Sequence, residues 1–418
     1  MQYNKPLLPV SIQSFLFLMM GNMTDSSYSP MDQFIKNRYL LTSAEIGLIT
    51  SSIFIGSMAV SVISGYFVDR MGNRSALRIA FLLMALGSTV VATSSLYATV
   101  IAGYFIIGFG YGIVTPSTNS EVIKHYYPHH ANAMGIKQSG VPAGVALAAL
   151  ILPFITLRTG ISYPYFFLAG AAIIMAILVG RDKPSSYPRN RGNINYFRDF
   201  ADIAKNRYLI SVCIAVAFLS WAQQGLLTYY VLYMRFRGFP ILSSDLFLVV
   251  LVAGSVAGRM LWVNVSEKYM KGNRVLMLSI ILLSSGLMVL AITEIPDSVA
   301  LIIASTFATG LFGIGWNSTF VTFVSEIAPR EKIGTYSGLS LFIIGLGTII
   351  GAPLSGVIID LTSSYNDMWY VMASMLVLMS ILILIFSRMF GGKRYGSVAS
   401  EVSGNESEHK SAGTSLQN

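Results

Sequence analysis

Twelve long apolar stretches, separated by polar or turn-forming residues, are the dominant feature of this sequence. A helix needs about 20 mostly apolar residues to cross a bilayer, and each stretch comes close to that length. Because 54% of the residues are hydrophobic and only 11% are charged, the chain lacks the polar surface that a soluble protein of this size requires. The sequence therefore predicts an integral membrane protein, and it excludes a soluble enzyme, a nucleic-acid-binding protein and a disordered chain.

The predicted spans are helices, because the alternating short strands of a membrane barrel are absent from the sequence. The predicted spans cover residues 8–32, 43–69, 75–95, 98–126, 131–156, 161–180, 207–234, 243–268, 273–294, 297–326, 331–361 and 367–390. The predicted fold class is therefore all-α, with twelve transmembrane helices.

The longest loop between spans divides them into two sets of six. The predicted domains are an N-terminal six-helix bundle over 1–180, a cytoplasmic linker over 181–207, a C-terminal six-helix bundle over 208–390 and a disordered cytoplasmic tail over 391–418. The halves also resemble each other at an offset of about 200 residues. Arg74 and Glu121 in the first half correspond to Arg274 and Glu326 in the second. Two pseudo-symmetric bundles favour a transporter whose halves rock against each other over a receptor or a channel.

The basic residues concentrate in the loops on one side of the predicted spans. The chain has 28 Lys and Arg against 19 Asp and Glu, a net charge of +9. Basic loops mark the cytoplasmic side of a membrane protein. We therefore predict a multi-pass protein of the cell membrane with both termini in the cytoplasm, and we interpret the positive surplus as a topology signal.

A short loop between the second and third spans carries the most specific motif. It contains Gly65, Asp69, Arg70, Gly72 and Arg74. This spacing resembles the signature G-x-x-x-D-R-x-G-x-R of the major facilitator superfamily at every specified position. The resemblance implies a secondary transporter with twelve helices that works by alternating access. It also implies that these five residues form a conformational latch, which stabilises one access state without touching substrate.

The fifth span contains a second glycine-rich segment, with Gly140, Pro142 and Gly144. Small residues at this spacing allow close helix packing, and the proline allows a bend. The segment resembles part of a glycine-proline pattern in antiporters of the superfamily. Residues 136–140 more weakly resemble the branch that includes cyanate-permease-like transporters.

Ionisable residues inside predicted spans are the first candidates for a site, because charge is unfavourable in a bilayer. Arg259 lies mid-span in the eighth helix, where its guanidinium could hold a carboxylate through two hydrogen bonds. An arginine after a glycine in this helix is similar to that of organic-anion branches, where it contacts the anion. The alternative is a structural arginine paired with a carboxylate or with backbone carbonyls.

Two further charges are candidates with open alternatives. Lys137 would supply a second positive charge, or lie at the cytoplasmic mouth. Asp25, the only acid well inside the first span, would suit proton coupling, or lie in the external loop if that span ends near Met23. Proton-coupled relatives in the superfamily often carry an arginine where this chain has Tyr104, so their coupling scheme does not transfer.

Uncharged polar residues in the spans complete the candidate binding site. They are Gln138, Asn119, Gln224, Trp316 and Asn317. Polar groups among membrane helices either line a cavity or join helices to one another, and the sequence leaves both readings open.

The leading hypothesis is a secondary transporter that moves a small organic or inorganic anion by a rocker-switch mechanism. Its partners would be the small-molecule substrate, membrane lipid and either a proton or a counter-anion, and we expect a monomer with no cofactor, no metal and no enzyme activity. The alternatives are an efflux antiporter for drugs or other hydrophobic compounds and, in another class, a membrane receptor or scaffold that transports nothing.

Overall fold

The computed structural model describes residues 9–126, 131–180, 205–270, 272–328 and 333–390, without the side chains of 61–71, 131–132, 333–335 and 390. Within these residues the protein is helical and has no strand. The helices are α1 Val10–Asp25, α2 Tyr28–Tyr39, α3 Ser43–Met71, α4 Asn73–Thr93, α5 Tyr97–Tyr126, α6 Ala131–Gln138, α7 Gly140–Thr159, α8 Ser162–Leu178, α9 Arg207–Phe236, α10 Ile241–Met270, α11 Arg274–Glu294, α12 Val299–Gly313, α13 Asn317–Ile327, α14 Ile333–Thr362 and α15 Tyr365–Phe390. The all-α prediction is confirmed.

The helices supply twelve spans once the broken ones are joined. Ten helical segments in the described part of the chain are long and apolar enough to cross a membrane. The shorter apolar helix α8 provides one more, and α1 with α2 provides the last.

The first span differs from its prediction over 8–32, because it is broken at Ser26–Ser27 and continues as α2 to Tyr39. The polar sequence of α2 does not look like a membrane span, yet its Asp32 is fully buried among neighbouring helices. Helix α2 ends at Tyr39. The next residue, Leu40, has a positive φ of 54°, and the Leu41 N–H donates to the Lys36 carbonyl at 3.1 Å.

The fifth and tenth spans are also divided. Helix α6 ends at Gln138 and α7 begins at Gly140, where a Cβ atom would lie 2.6 Å from the Phe15 carbonyl oxygen. At Gly144 a Cβ atom would lie 2.3 Å from the Met19 carbonyl oxygen. These glycines, with Pro142 between them, therefore bring α7 into backbone contact with α1.

Helices α1–α8 pack mainly on one another, and so do α9–α15; we call them the first and second groups. The groups meet where α3 contacts α14, α7 contacts α10 and α2 contacts α9. The predicted division into two domains stays a prediction, because residues 181–204 of the linker lie outside the described residues, as does the predicted tail over 391–418.

The closest approach between the groups lies where α3 begins and α14 ends. We call this contact the seam and define it by residues 43–47 and 352–360. The Asp360 carboxylate accepts the Ser43 and Ala44 N–H groups, each at 2.8 Å. A Cβ atom at Gly356 would lie 2.4 Å from the Ser43 carbonyl oxygen. By the predicted topology, the seam is on the external side of the membrane.

Candidate functional site

Arg259 lies in the middle of α10, with its side chain half-buried against the first group. Its Nε–H is buried and has no hydrogen-bond partner among the described residues. Its backbone carbonyl accepts a hydrogen bond from the Ser318 hydroxyl at 2.6 Å, which joins α10 to α13. The guanidinium therefore has an unused hydrogen-bond donor in the interior of the protein.

Tyr111 of α5 connects Arg259 to the first helix. It interacts electrostatically with both Arg259 and Asp25. Its hydroxyl donates to the Asn22 side-chain oxygen at 3.0 Å. A cation, a phenol, an amide and a carboxylate from three helices and both groups therefore meet in one region, which we call the Arg259 cluster.

Asp25 is the last residue of α1, and its side chain is only 6% exposed. One of its carboxylate oxygens has no hydrogen-bond partner in the described part of the chain. Because α2 continues the span, Asp25 lies inside the protein and not in an external loop.

Lys137 is fully buried and donates a short hydrogen bond to the Asn119 side-chain oxygen. The bond joins α6 of the fifth span to α5 of the fourth. Gln138, the next residue, is exposed on the outside of the fold. The structure therefore separates Lys137 and Asn119 from Gln138, although all three were predicted to share a site.

Three other predicted residues lie in the second group. Gln224 is buried and donates to the Tyr28 hydroxyl at 2.5 Å, across the two groups. Asn317 donates to Gln223 at 3.4 Å, within its own group. Trp316 is buried, and its indole N–H has no partner among the described residues. Gln224 is thus the one of the three that links α9 to α2, the helix that follows Asp25.

The predicted latch can be described only in part. Gly72 adopts a φ of 85° between α3 and α4, a conformation that favours glycine. Arg74 forms an ion pair with Glu121 at 3.7 Å. The side chains of Gly65, Asp69 and Arg70 lie outside the described residues.

The pair at Arg74 has a counterpart in the second group. Arg274 pairs with Glu326 at 3.0 Å, as Arg74 pairs with Glu121. The same two residue types therefore meet at corresponding places in the two halves, as the internal repeat predicts.

Two buried acids were missed by the sequence interpretation, which held Asp25 to be the only acid inside the first span. Asp32 of α2 is fully buried, and Asp245 of α10 is 1% exposed. Neither carboxylate has a hydrogen-bond partner among the described residues. Asp32 lies seven residues after Asp25, beyond the break between α1 and α2, so helical spacing within one span did not identify it. No group of three or more metal-ligating side chains occurs in the described part of the chain.

A family model described as the Major Facilitator Superfamily matches residues 10–343 and, in a second match, 246–411. The chain belongs to the Major Facilitator Superfamily. This confirms the family suggested by the loop at Asp69, and with it the fold class and the general role of secondary transporter.

The chain is similar to named transporters over nearly its whole length. It is 22% identical to a hexuronate transporter of Bacillus subtilis over 95% of this chain and 98% of that protein. It is 22% identical to a gentisate transporter of Corynebacterium glutamicum, over 87% of this chain and 83% of that one.

A solved structure shares the fold. A bacterial homologue of the human lysosomal transporter Spinster, inward-facing and unoccupied, superposes with a TM-score of 0.74 at 17% identity, over 92% of this chain and 98% of that one.

Proposed function

We propose that this member of the superfamily transports a small carboxylate by alternating access, with Arg259 as the residue that holds the carboxylate. The single observation that carries this proposal is the buried, partnerless Nε–H of Arg259 beside Tyr111. A guanidinium binds a carboxylate through parallel hydrogen bonds, and such bonds are strong where water is excluded.

The Arg259 cluster also supplies groups for the rest of a substrate. Tyr111 and Asn22 offer a hydroxyl and an amide next to the cation. Hydrogen-bonding groups in this position would suit a carboxylate that carries hydroxyls. The two named relatives support this class, because hexuronate and gentisate are both hydroxylated carboxylates.

The remaining predicted residues take secondary roles in this proposal. Asp25 lies near enough to Tyr111 to sense the charge of a bound anion and would be the coupling candidate. Gln224 would connect substrate binding to the contact with Tyr28. Lys137, Asn119, Gln138, Trp316 and Asn317 would help only in a conformation in which their present contacts change. We further propose a monomer in the cell membrane, surrounded by lipid, with both termini in the cytoplasm.

The test is uptake of hexuronate and gentisate into proteoliposomes by wild type, Arg259→Gln and Arg259→Lys. Truncating one partner of a buried, hydrogen-bonded charge pair costs about 2–5 kcal/mol, so Arg259→Gln should weaken saturable uptake by about 30-fold or more. Arg259→Lys should recover part of it, since it keeps the charge but loses the fork of donors.

Lys268→Gln is the matched control, because Lys268 is an exposed cation at the end of the same helix and should not affect uptake. Normal carboxylate uptake by Arg259→Gln would contradict the site. Absence of any carboxylate uptake by wild type, together with resistance to hydrophobic cations on expression, would favour the efflux alternative.

A further inference from the structure

Asp32 is a buried carboxylate that the proposed transport site does not use. It lies on α2, its side chain is 0% exposed, and neither oxygen has a hydrogen-bond partner among the described residues. No cation of the described residues lies within ion-pair distance of it. An ionised carboxylate in such a place is strongly unfavourable, and a buried group of this kind takes up a proton instead.

The ionisable groups that face Asp32 come from five helices. It interacts electrostatically with Tyr28, Lys36, Tyr104, Tyr165, Tyr229 and Tyr365. Five of these six groups are phenols, which are neutral at ordinary pH. Lys36 is therefore the one member of this set that can neutralise an ionised Asp32.

Lys36 is turned toward the seam in this conformation. Its ammonium donates to the Ser43 hydroxyl at 3.0 Å. It interacts electrostatically with both Asp360 and Asp32, and the interaction with Asp360 is the larger. Since Asp360 binds the Ser43 N–H and Lys36 binds the Ser43 hydroxyl, the closed seam places Lys36 at Ser43, near Asp360, and leaves Asp32 without a close counter-charge.

We propose that Asp32 is a proton-binding site whose occupancy is coupled to the seam. With the seam closed, Asp32 is a neutral acid. When the seam opens, Asp360 moves away from Ser43 and Lys36. Asp32 is then the remaining carboxylate near the Lys36 ammonium, and water reaches the carboxyl group. The O–H proton then passes to water and leaves an ionised carboxylate beside an ammonium. Proton binding and seam closure are thermodynamically linked. Protonation of Asp32 from the seam side raises the closure equilibrium constant, and closure raises the proton affinity of Asp32 by the same factor.

This inference extends the proposed function, because proton binding at Asp32 would give carboxylate transport a second coupling site besides Asp25. Its test needs no substrate, so either proposal can fail without the other. The measurement is the distance between spin labels at Leu96→Cys and Val299→Cys in lipid nanodiscs, in a Cys213→Ser background. Leu96 and Val299 are exposed, at 64% and 54%, and belong to different groups.

A pH series from about 5 to about 9 should show the open-seam population of wild type rising with pH, because ionisation of Asp32 favours opening. Asp32→Asn, which mimics the protonated acid, should stay closed at every pH. Asp32→Glu should restore a pH response, which separates loss of titration from loss of folding. Lys36→Met should move the midpoint to higher pH, since the open state then lacks the ammonium.

Asp245→Asn is the matched control, because Asp245 is equally buried and equally without hydrogen-bond partners but lies on α10. It should retain the wild-type pH response. A wild-type distance that does not change with pH would overturn the proposal. A response that persists in Asp32→Asn, or that disappears in Asp245→Asn instead, would also overturn it.

Discussion

The seam and the opposite end of the molecule hold the two groups of helices in different ways. At the seam, hydrogen bonds cross from one group to the other, as between Asp360 and the start of α3 and between the Tyr229 hydroxyl and the Ser43 carbonyl at 2.8 Å. At the opposite end, two ion pairs of the described residues, Arg74 with Glu121 and Arg274 with Glu326, each lie within one group. The hydrogen bonds of the seam therefore connect the two groups, whereas these two ion pairs do not.

This difference identifies which contacts must break during transport. Alternating access requires the halves to separate on one side while they close on the other. Contacts within a group can persist through the cycle and contribute only to stability. Contacts across the seam set the balance between the two access states. With the predicted topology, the structure is closed toward the outside.

Of the predicted variants, Gly356→Ala should shift the equilibrium between the closed and the open seam the most. Its Cβ atom would lie 2.4 Å from the Ser43 carbonyl oxygen, so the seam cannot close without a backbone shift. Overpacking costs about 1–3 kcal/mol, which corresponds to a shift of the equilibrium toward the open seam of about fivefold to about 150-fold. The spin-label pair at Leu96 and Val299 measures the shift.

Gly108→Ala is the matched change inside one group, since its Cβ atom would lie 2.0 Å from the Ile53 carbonyl oxygen. It should lower the apparent melting temperature and leave the label distance unchanged. If both variants lowered the melting temperature alone, the seam and the interior of a group would not differ as we argue.

Tyr229→Phe should shift the same equilibrium toward the open seam by a smaller factor. The Tyr229 hydroxyl bridges the Ser43 and Ala352 carbonyl oxygens, 2.8 Å from each, and so joins α9 to both sides of the seam. Removing one such hydroxyl costs about 1–1.5 kcal/mol, which predicts a shift of about tenfold toward the open state. The same label distances report it.

Tyr230→Phe provides the comparison, because that buried hydroxyl bonds Thr306 within the second group. We expect reduced thermal stability without a change in the open population. An equal shift in both variants would mean that hydroxyl loss, and not the seam, controls the equilibrium.

The sequence was sufficient for the fold class and the family, because both depend on local signals. Apolar length identifies a membrane helix, and the loop at Asp69 follows a fixed spacing. The breaks at Ser26 and Ser139 were not predicted, because they depend on which neighbouring helix approaches the backbone. A single sequence does not show directly which helices pack against each other.

The candidate site was predictable only residue by residue. Hydropathy selects Arg259, Lys137 and Asp25 as unusual, but it does not say that Tyr111 stands beside Arg259 or that Lys137 is bonded to Asn119. Asp32 was missed for the same reason. A polar stretch such as α2 resembles a loop until the helices that bury it are known.

The smallest shift is expected from Asp360→Ala, which removes the acceptor for the Ser43 and Ala44 N–H groups at the start of α3. Loss of a helix cap costs about 1 kcal/mol, so the open population should rise about fivefold. Because the closed state is then weaker, the label pair should also open at a lower pH than in wild type. Asn273→Ala removes a cap within the second group, where Asn273 accepts the Leu276 N–H at 3.0 Å, and should reduce only thermal stability. If the two variants gave the same label distances at every pH, Asp360 would be an ordinary helix cap and the seam would be held by its backbone contacts alone.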